Sequence, residues 1–411
     1  MNHGDFAWML TCSALVFLMT PGLAFFYSGM TKRKNSINTI LSCSLTLGLA
    51  SVLWVLIGFS LSFSGDRGGV IGDLNWFCMN FDTLKDQTLA YPNTLTFAIF
   101  QMMFAIITPA LITGAVVERM RFTTLFVFLG IWSVLVYYPM AHMVWGGGLL
   151  MKLGAVDFAG GNVVHITSGI SALVLAIVLG KRKHYGKISY HPHNVPMVFL
   201  GAAMLWFGWF GFNGGSAGAA NALAAHAFLT TNTSAAAAML SWMLIEKVRN
   251  GNPSLVGAST GMVIGLVAIT PGAGFVPVWA ALVIGALASP ISYFFISVVK
   301  AKFGYDDALD VFGCHGVGGI WGGIATGLFT QSSINPSARW NGLLFGDAQL
   351  FVRQLAAVGV AVAVAVVGTL IAIGIAKLCT KKIRVDGKDE AIGLDIAEHG
   401  EQAYPAFNGM D

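Results

Sequence analysis

Two histidines, His165 and His315, stand inside long apolar stretches, GAVDFAGGNVVHITSGISALVLAIVLG and DALDVFGCHGVGGIWGGIATGLF. Each follows an aspartate, Asp157 eight residues before His165 and Asp310 five residues before His315. Ionisable side chains within apolar spans are rare and face a pathway or a partner. A neutral imidazole has one donor and one acceptor, so two facing rings can bond each other and a small polar guest. With an unperturbed pKa of about 6.5, such a pair can also relay a proton. A bare cation in the same conduit meets a desolvation cost nominally of tens of kcal/mol. Chemistry at the pair therefore favours a small molecule able to shed its charge. The plainer alternative is an interhelical hydrogen bond with no substrate.

A second constellation could supply such a molecule. Trp145 opens the turn MVWGGG, Phe104 lies midway along an apolar span, and Phe212 and Ser216 fall within GWFGFNGGSAG. An indole face attracts a cation by about 0.5–2 kcal/mol, and a serine hydroxyl accepts from N–H groups. Together they suit a small cation bearing N–H. Taken singly, each aromatic suits packing or an interfacial belt.

The elements that must position these residues are membrane helices. Of 411 residues, 56% are apolar and only 10% charged, and the mean hydropathy is +0.72. Such a chain cannot cover itself with polar surface. Apolar spans are predicted near 6–28, 36–61, 94–116, 122–142, 162–180, 195–214, 219–243, 254–273, 277–299, 308–329 and 350–376. Most approach the roughly 20 residues a helix needs to cross a bilayer. A β-barrel would instead alternate polar and apolar residues. The fold expected is an all-α polytopic membrane protein with 11 transmembrane helices. An outside N-terminus and a cytoplasmic C-terminus place 18 of the 23 basic residues inside, as the positive-inside rule favours.

The spans divide as five, five and one, and two five-helix halves must insert with opposite orientation. Inverted repeats place a substrate path at their interface. His165 and His315 fall on the fifth and tenth spans, which makes them facing partners. No basic n-region precedes the first span, so it is kept as a helix rather than a cleaved signal. The cysteines at 12, 43, 78, 314 and 379 form no disulfide framework or zinc spacing. Residues 1–379 form the transmembrane domain and 380–411 a polar cytoplasmic tail, with apolar anchors at Ile392, Leu394, Ile396, Tyr404 and Phe407.

Several motifs, in order along nearly the whole chain, resemble the Amt/Mep/Rh ammonium transporter family and its bacterial Amt branch. They include TPGLAFFYSGMTKRKNS, FAIITPALITGAVVERMRF, MVWGGG, DFAGGNVVHITSGISALV, GWFGFNGGSA, GLVAITPGAG, DVFGCHGVGGIWGGIATGLF and the tail's GLDIAEHGEQAY. The resemblance implies that His165 and His315 line a hydrophobic pore beneath a gate of Phe104 and Phe212. It makes Trp145, Phe104 and Ser216 an outer recruitment site for ammonium. Asp157 would hold geometry beneath that site, stabilise a nearby cation and join the proton relay. Asp310 and Thr260 would be structural near the pore, Thr260 keeping the hydroxyl of a position where the family also has serine. A homotrimer, multi-pass insertion in the inner (plasma) membrane and a PII-type regulatory partner at the cytoplasmic face are also implied.

The function expected is recruitment and deprotonation of ammonium, with ammonia conducted through the pore and net proton transfer. Alternatives are an electroneutral ammonia channel and an ammonium sensor signalling through its tail. An intramembrane metalloenzyme would need more than two histidine ligands, and none accompanies them at helical spacing. No enzyme activity, cofactor, metal or nucleic-acid partner is expected.

Overall fold

The computed structural model describes residues 2–88, 93–187 and 190–404. Its helices are α1 (His3–Met30), α2 (Arg33–Phe63), α3 (Thr94–Val116), α4 (Phe122–Leu153), α5 (Gly161–Leu179) and α6 (Val195–Gly215). They continue as α7 (Ala222–Asn250), α8 (Leu255–Ile269), α9 (Val278–Phe303), α10 (residues 312–329) and α11 (Ala348–Thr380). Among the described residues no β-strand forms, only two isolated bridges. All except α8 and α10 are long and apolar enough to cross a membrane, nine helices among the described residues. The eighth and tenth predicted spans correspond to the two shorter ones.

Helix starts follow local polar chemistry. Asn93, Asn194, Asn221, Ser254 and Asp347 each accept a backbone N–H from the first turn of α3, α6, α7, α8 and α11. Capping matters here because lipid offers no water to an open helix end.

Alternate helix ends gather on opposite faces. On the basic face, Arg182 after α5 joins Glu118 after α3 at 3.2 Å and Asp306 after α9 at 2.8 Å. Lys32, after α1, reaches Glu118 at 3.0 Å. The tail docks on this same face: the Leu394 amide donates to Asn35, and Asp395 accepts from the Asn38 amide, each at 2.8 Å. Leu394 is fully buried, while Ile392 and Ile396 stay exposed. Tyr404 sits under the Arg33 guanidinium, 5.1 Å from its ring centre, and Phe407 lies outside the described residues. On the opposite face the Phe158 amide donates to the Pro271 carbonyl at 3.0 Å, and the Val156 amide to Gln354 at 2.9 Å.

The two halves meet through corresponding helices. α1 lies so close to α6 that a Cβ on Gly201 would fall 2.3 Å from the Phe26 nitrogen. α5 crosses α10 still more tightly, a Cβ on Gly169 falling 2.0 Å from the Gly316 nitrogen. First packs with first and fifth with fifth, as an internal two-fold repeat requires. Small residues permit such crossings in lipid. α11 braces the first half, Thr369 bonding Ser171 of α5 at 2.7 Å.

Candidate functional site

Both histidines lie in the opening turns of their helices, and both turns are π-helical, Gly161–Ile166 in α5 and Phe312–Gly316 in α10. A π-turn inserts a residue into the helical register and often marks a functional site. The α5–α10 crossing then brings the rings together. Their Nδ1 atoms are 3.3 Å apart and their centroids 5.3 Å, tilted by 24°. Both side chains are buried. An Nδ1–Nδ1 bond needs a donor on one ring and an acceptor on the other. In the neutral pair, one Nε2 is therefore a proton acceptor and the other a donor. The His165 Nε2 atom is buried with no protein partner among the described residues.

What surrounds the rings is apolar. Leu23, Ile107, Leu111, Val164 and Val263 line a cavity of about 10 Å³ at the two histidines, about the space of one water-sized molecule. Trp209 stacks on His165 at 5.4 Å and 22°, its indole held by the Thr270 hydroxyl at 2.9 Å. Phe212 covers His165 at 6.0 Å and 20°. Phe104 lies against Phe212 with centroids 4.3 Å apart, and both phenylalanines are buried. The two rings stand between the histidines and the Trp145 indole.

Beyond them opens a vestibule of about 690 Å³. Trp145, Asp157, Phe158, Gln101 and Ser216 line it. Trp145 meets Phe104 edge-on at 5.9 Å and donates its indole N–H to the Asp157 carbonyl at 2.9 Å. The Ser216 hydroxyl donates to the Phe212 carbonyl at 2.8 Å, leaving its oxygen lone pairs as acceptors. Aromatic faces and an acceptor thus converge from α3, α4 and α6, an arrangement able to hold a small N–H cation.

Asp157 turns its carboxylate to the start of α5. Its oxygens accept from the backbone N–H groups of Gly160, Gly161 and Asn162 at 2.7–2.8 Å. Burial pushes its carboxyl above the usual range, against those donors. The mate of Asp157 is not Asp310. Asp310 has φ +58° and its carboxylate pairs with Lys300 at 2.6 Å. The corresponding residue is Asp307, fully buried and accepting from the Phe312 N–H at 2.7 Å. Equal eight-residue spacing to the histidine was the available signal. Thr260 donates to its own helix at Val256, 2.9 Å away, and does not line the cavity at the histidines. Trp209 also belongs to the site, inconspicuous in the sequence because it sits in an aromatic-rich run.

Residues 7–404 match the family model described as Ammonium Transporter Family. The chain belongs to the ammonium transporter family. The transporter is 48% identical to an ammonium transporter of Bacillus subtilis over 98% of its own length and 99% of that protein's. It is 44% identical to ammonium transporter Amt1 of Archaeoglobus fulgidus, over 98% and 100% of the two chains. Its fold superposes on Mep2 of Candida albicans with a TM-score of 0.87 at 34% identity, covering 98% of this chain and 91% of the other. A structure described as Sensor Amt Protein gives 0.87 at 29% identity, covering 96% and 98%. The family and its Bacillus subtilis and Archaeoglobus fulgidus members are ammonium transporters rather than enzymes, and the transporter is accordingly a multi-pass protein of the plasma membrane.

Proposed function

We propose that the transporter recruits ammonium at Trp145, Phe104 and Ser216, passes it by the Phe104–Phe212 gate, and strips its proton near the histidines. Ammonia then crosses the apolar passage between His165 and His315, and the proton is carried separately, so that charge moves with each cycle. One observation carries this reading: the Nδ1–Nδ1 pair at 3.3 Å borders an apolar cavity of one-molecule size beside Phe212 and Phe104, whose rings lie 4.3 Å apart. Such a cavity rejects potassium because potassium cannot become neutral by deprotonation, whereas ammonium can. Asp157 supports the relay by fixing the turn that bears His165. Asp310, through Lys300, and Thr260 are assigned structural roles.

In this reading the vestibule faces outward and the basic face, with the tail from residue 380, faces the cytoplasm; 18 of 23 basic residues then lie inside. Homotrimer assembly and a PII-type partner at the basic face belong to the same proposal, and family membership supports them. Light scattering in detergent and co-purification with the PII protein test these two points.

Transport is tested by recording current in proteoliposomes after an ammonium pulse. Wild type gives a current and a potassium pulse gives none; ammonia flux without current overturns the charge-moving version. The His165→Ala, His315→Ala double variant loses discrimination against potassium, and retained discrimination overturns the role given to the pair. A sensor is the second reading, favoured by the docked tail and the similarity to the Sensor Amt Protein structure. It predicts ammonium-dependent tail protection from proteolysis with no current.

A further inference from the structure

We propose that His142 and Asp66 form a clasp that positions Trp145 for ammonium recruitment; the inference rests on the recruitment site proposed above. His142 lies on α4 three residues before Trp145, just inside the vestibule face, and is fully buried. Its Nδ1 atom is 3.1 Å from the Ser62 carbonyl at the end of α2, and its Nε2 is 3.1 Å from Asp66 Oδ1. Both partners are acceptors, so both contacts become hydrogen bonds only when the two ring nitrogens each carry hydrogen.

Asp66 ties the same ring to the rest of the vestibule wall. Its Oδ1 also accepts from the Gly69 N–H at 2.7 Å, and its Oδ2 pairs with the Lys152 ammonium. Lys152, His142 and the Gly69 N–H, in that order, hold the Asp66 carboxyl down at about 2, so it stays ionised. Gly69 in turn accepts from the Leu149 N–H at 2.7 Å. The His142 carbonyl receives the Gly146 and Gly148 N–H groups at 2.9 and 3.0 Å. The loop after α2 and the turn after Trp145 are therefore closed around one imidazole.

There is no slack in the closure. A Cβ on Gly146 would fall 2.1 Å from the Ser62 carbonyl oxygen, and one on Gly148 2.6 Å from that of Gly69. Among the charged groups of the neighbouring loop and of residues 149–153, Asp66 touches the ring and Lys152 shares Asp66. Asp73 is turned to Ser64 and Asn75, and Arg67 acts on Asp73 only at long range. Among the described residues the indole of Trp145 makes one hydrogen bond, to the Asp157 carbonyl, and meets Phe104 edge-on. The direction of its backbone is set by the clasp.

The experiment measures ammonium-evoked current against concentration in proteoliposomes for wild type, Asp66→Ala, Asp66→Asn, Trp145→Leu and the Asp66→Ala, Trp145→Leu double variant. Asp66 is partly exposed, so its substitution spares the core, and monodisperse elution confirms folding. Asp66→Ala raises the half-saturating concentration about five-fold, within the range a cation–π contact spans, while the maximal current stays within about two-fold. Asp66→Asn, which keeps an acceptor for His142, recovers most of the affinity. The double variant is no worse than Trp145→Leu alone, because the clasp acts through Trp145. Additive losses in the double variant, or a fall in maximal current with unchanged half-saturation, overturn the clasp. If Trp145→Leu leaves half-saturation unchanged, the recruitment reading fails and the clasp falls with it. If Trp145→Leu raises it and Asp66→Ala does not, only the clasp falls.

Discussion

Asp157 and Asp307 occupy equivalent places in the two halves: each stands eight residues before one of the paired histidines and accepts, through Oδ2, the N–H five residues ahead at 2.7 Å. The donors are Asn162 and Phe312, in the π-helical turns that carry His165 and His315. Each carboxylate sits at the positive end of its helix, where backbone N–H groups have no partner within the helix. The turn geometry that brings the rings into register is thus held from both ends of the repeat by the same device.

Removing that device at residue 157 will loosen the His165 turn. Asp157→Ala strands several buried N–H donors, each worth about 1–3 kcal/mol when left unmade. We expect a clear drop in thermal stability in detergent and a collapse of current. Asp157→Asn retains one acceptor oxygen and should recover more than half of the lost stability. Equal stability of the alanine and asparagine variants would show that the oxygens do not hold the turn.

Asp307 gives the transporter a distinctive response to pH. Burial raises its carboxyl, the Lys300 ammonium opposes this, Asp310 adds to it, and the result lies at about 6 against an ordinary 3.8. Its folded value is raised, so the associated stability is whole below about 3.8 and lost as pH climbs through about 6. Glu118 and Asp306 run the other way. Burial raises both carboxyls, but Arg182, aided at Glu118 by Lys32, brings them below their ordinary values. Their stability is present above those values and lost in acid. The stability of wild type minus that of Asp307→Asn should therefore fall between pH 4 and pH 7, as read by thermal melts at matched ionic strength. A difference that rises across this window would reverse the assignment.

Arg182 is the hinge of the basic-face network. It joins Glu118 and Asp306, and all three side chains are almost wholly buried. Arg182→Ala leaves two buried carboxylates short of their partner, a loss of about 3–5 kcal/mol. The expected outcome is a sharp loss of folded protein in size-exclusion profiles, partly relieved by adding Glu118→Gln and Asp306→Asn. A fully stable single variant would show that these ion pairs contribute little.

The glycine crossing offers a steric test. Gly169→Ala places a methyl group 2.0 Å from the Gly316 nitrogen, with backbone rather than a flexible side chain in the way. Overpacking of this kind costs about 1–3 kcal/mol or more, and here it also separates the histidines. Current should fall at least ten-fold for Gly169→Ala. Gly359→Ala, whose Cβ meets nothing within 4 Å, should behave as wild type.

Much of the site was legible before folding because membrane chemistry is unforgiving. An imidazole in an apolar span is conspicuous, and His165, His315, Trp145, Phe104, Phe212 and Ser216 could be singled out one by one. His142 is not legible in the same way, since it lies near a span end, where a histidine is unremarkable. Asp307 was hidden among Asp306, Asp307 and Asp310, three carboxylates that composition treats alike.

The amino-acid sequence by itself determined a polytopic helical membrane protein with its basic residues gathered at alternate helix ends. Hydropathy and charge settle those matters locally, residue by residue, against lipid and water. Only the tertiary structure decided which N–H groups the aspartates of the second half bond and how the two imidazoles meet. Those outcomes depend on the left-handed turn at Asp310, the π-turns that carry the histidines and a crossing of Gly169 with Gly316, 147 residues apart in the sequence, Asp307 bonding Phe312 while Asp310 turns to Lys300. Hydrogen-bond satisfaction of a buried turn is a property of the backbone's path through space, and side-chain chemistry alone does not specify that path.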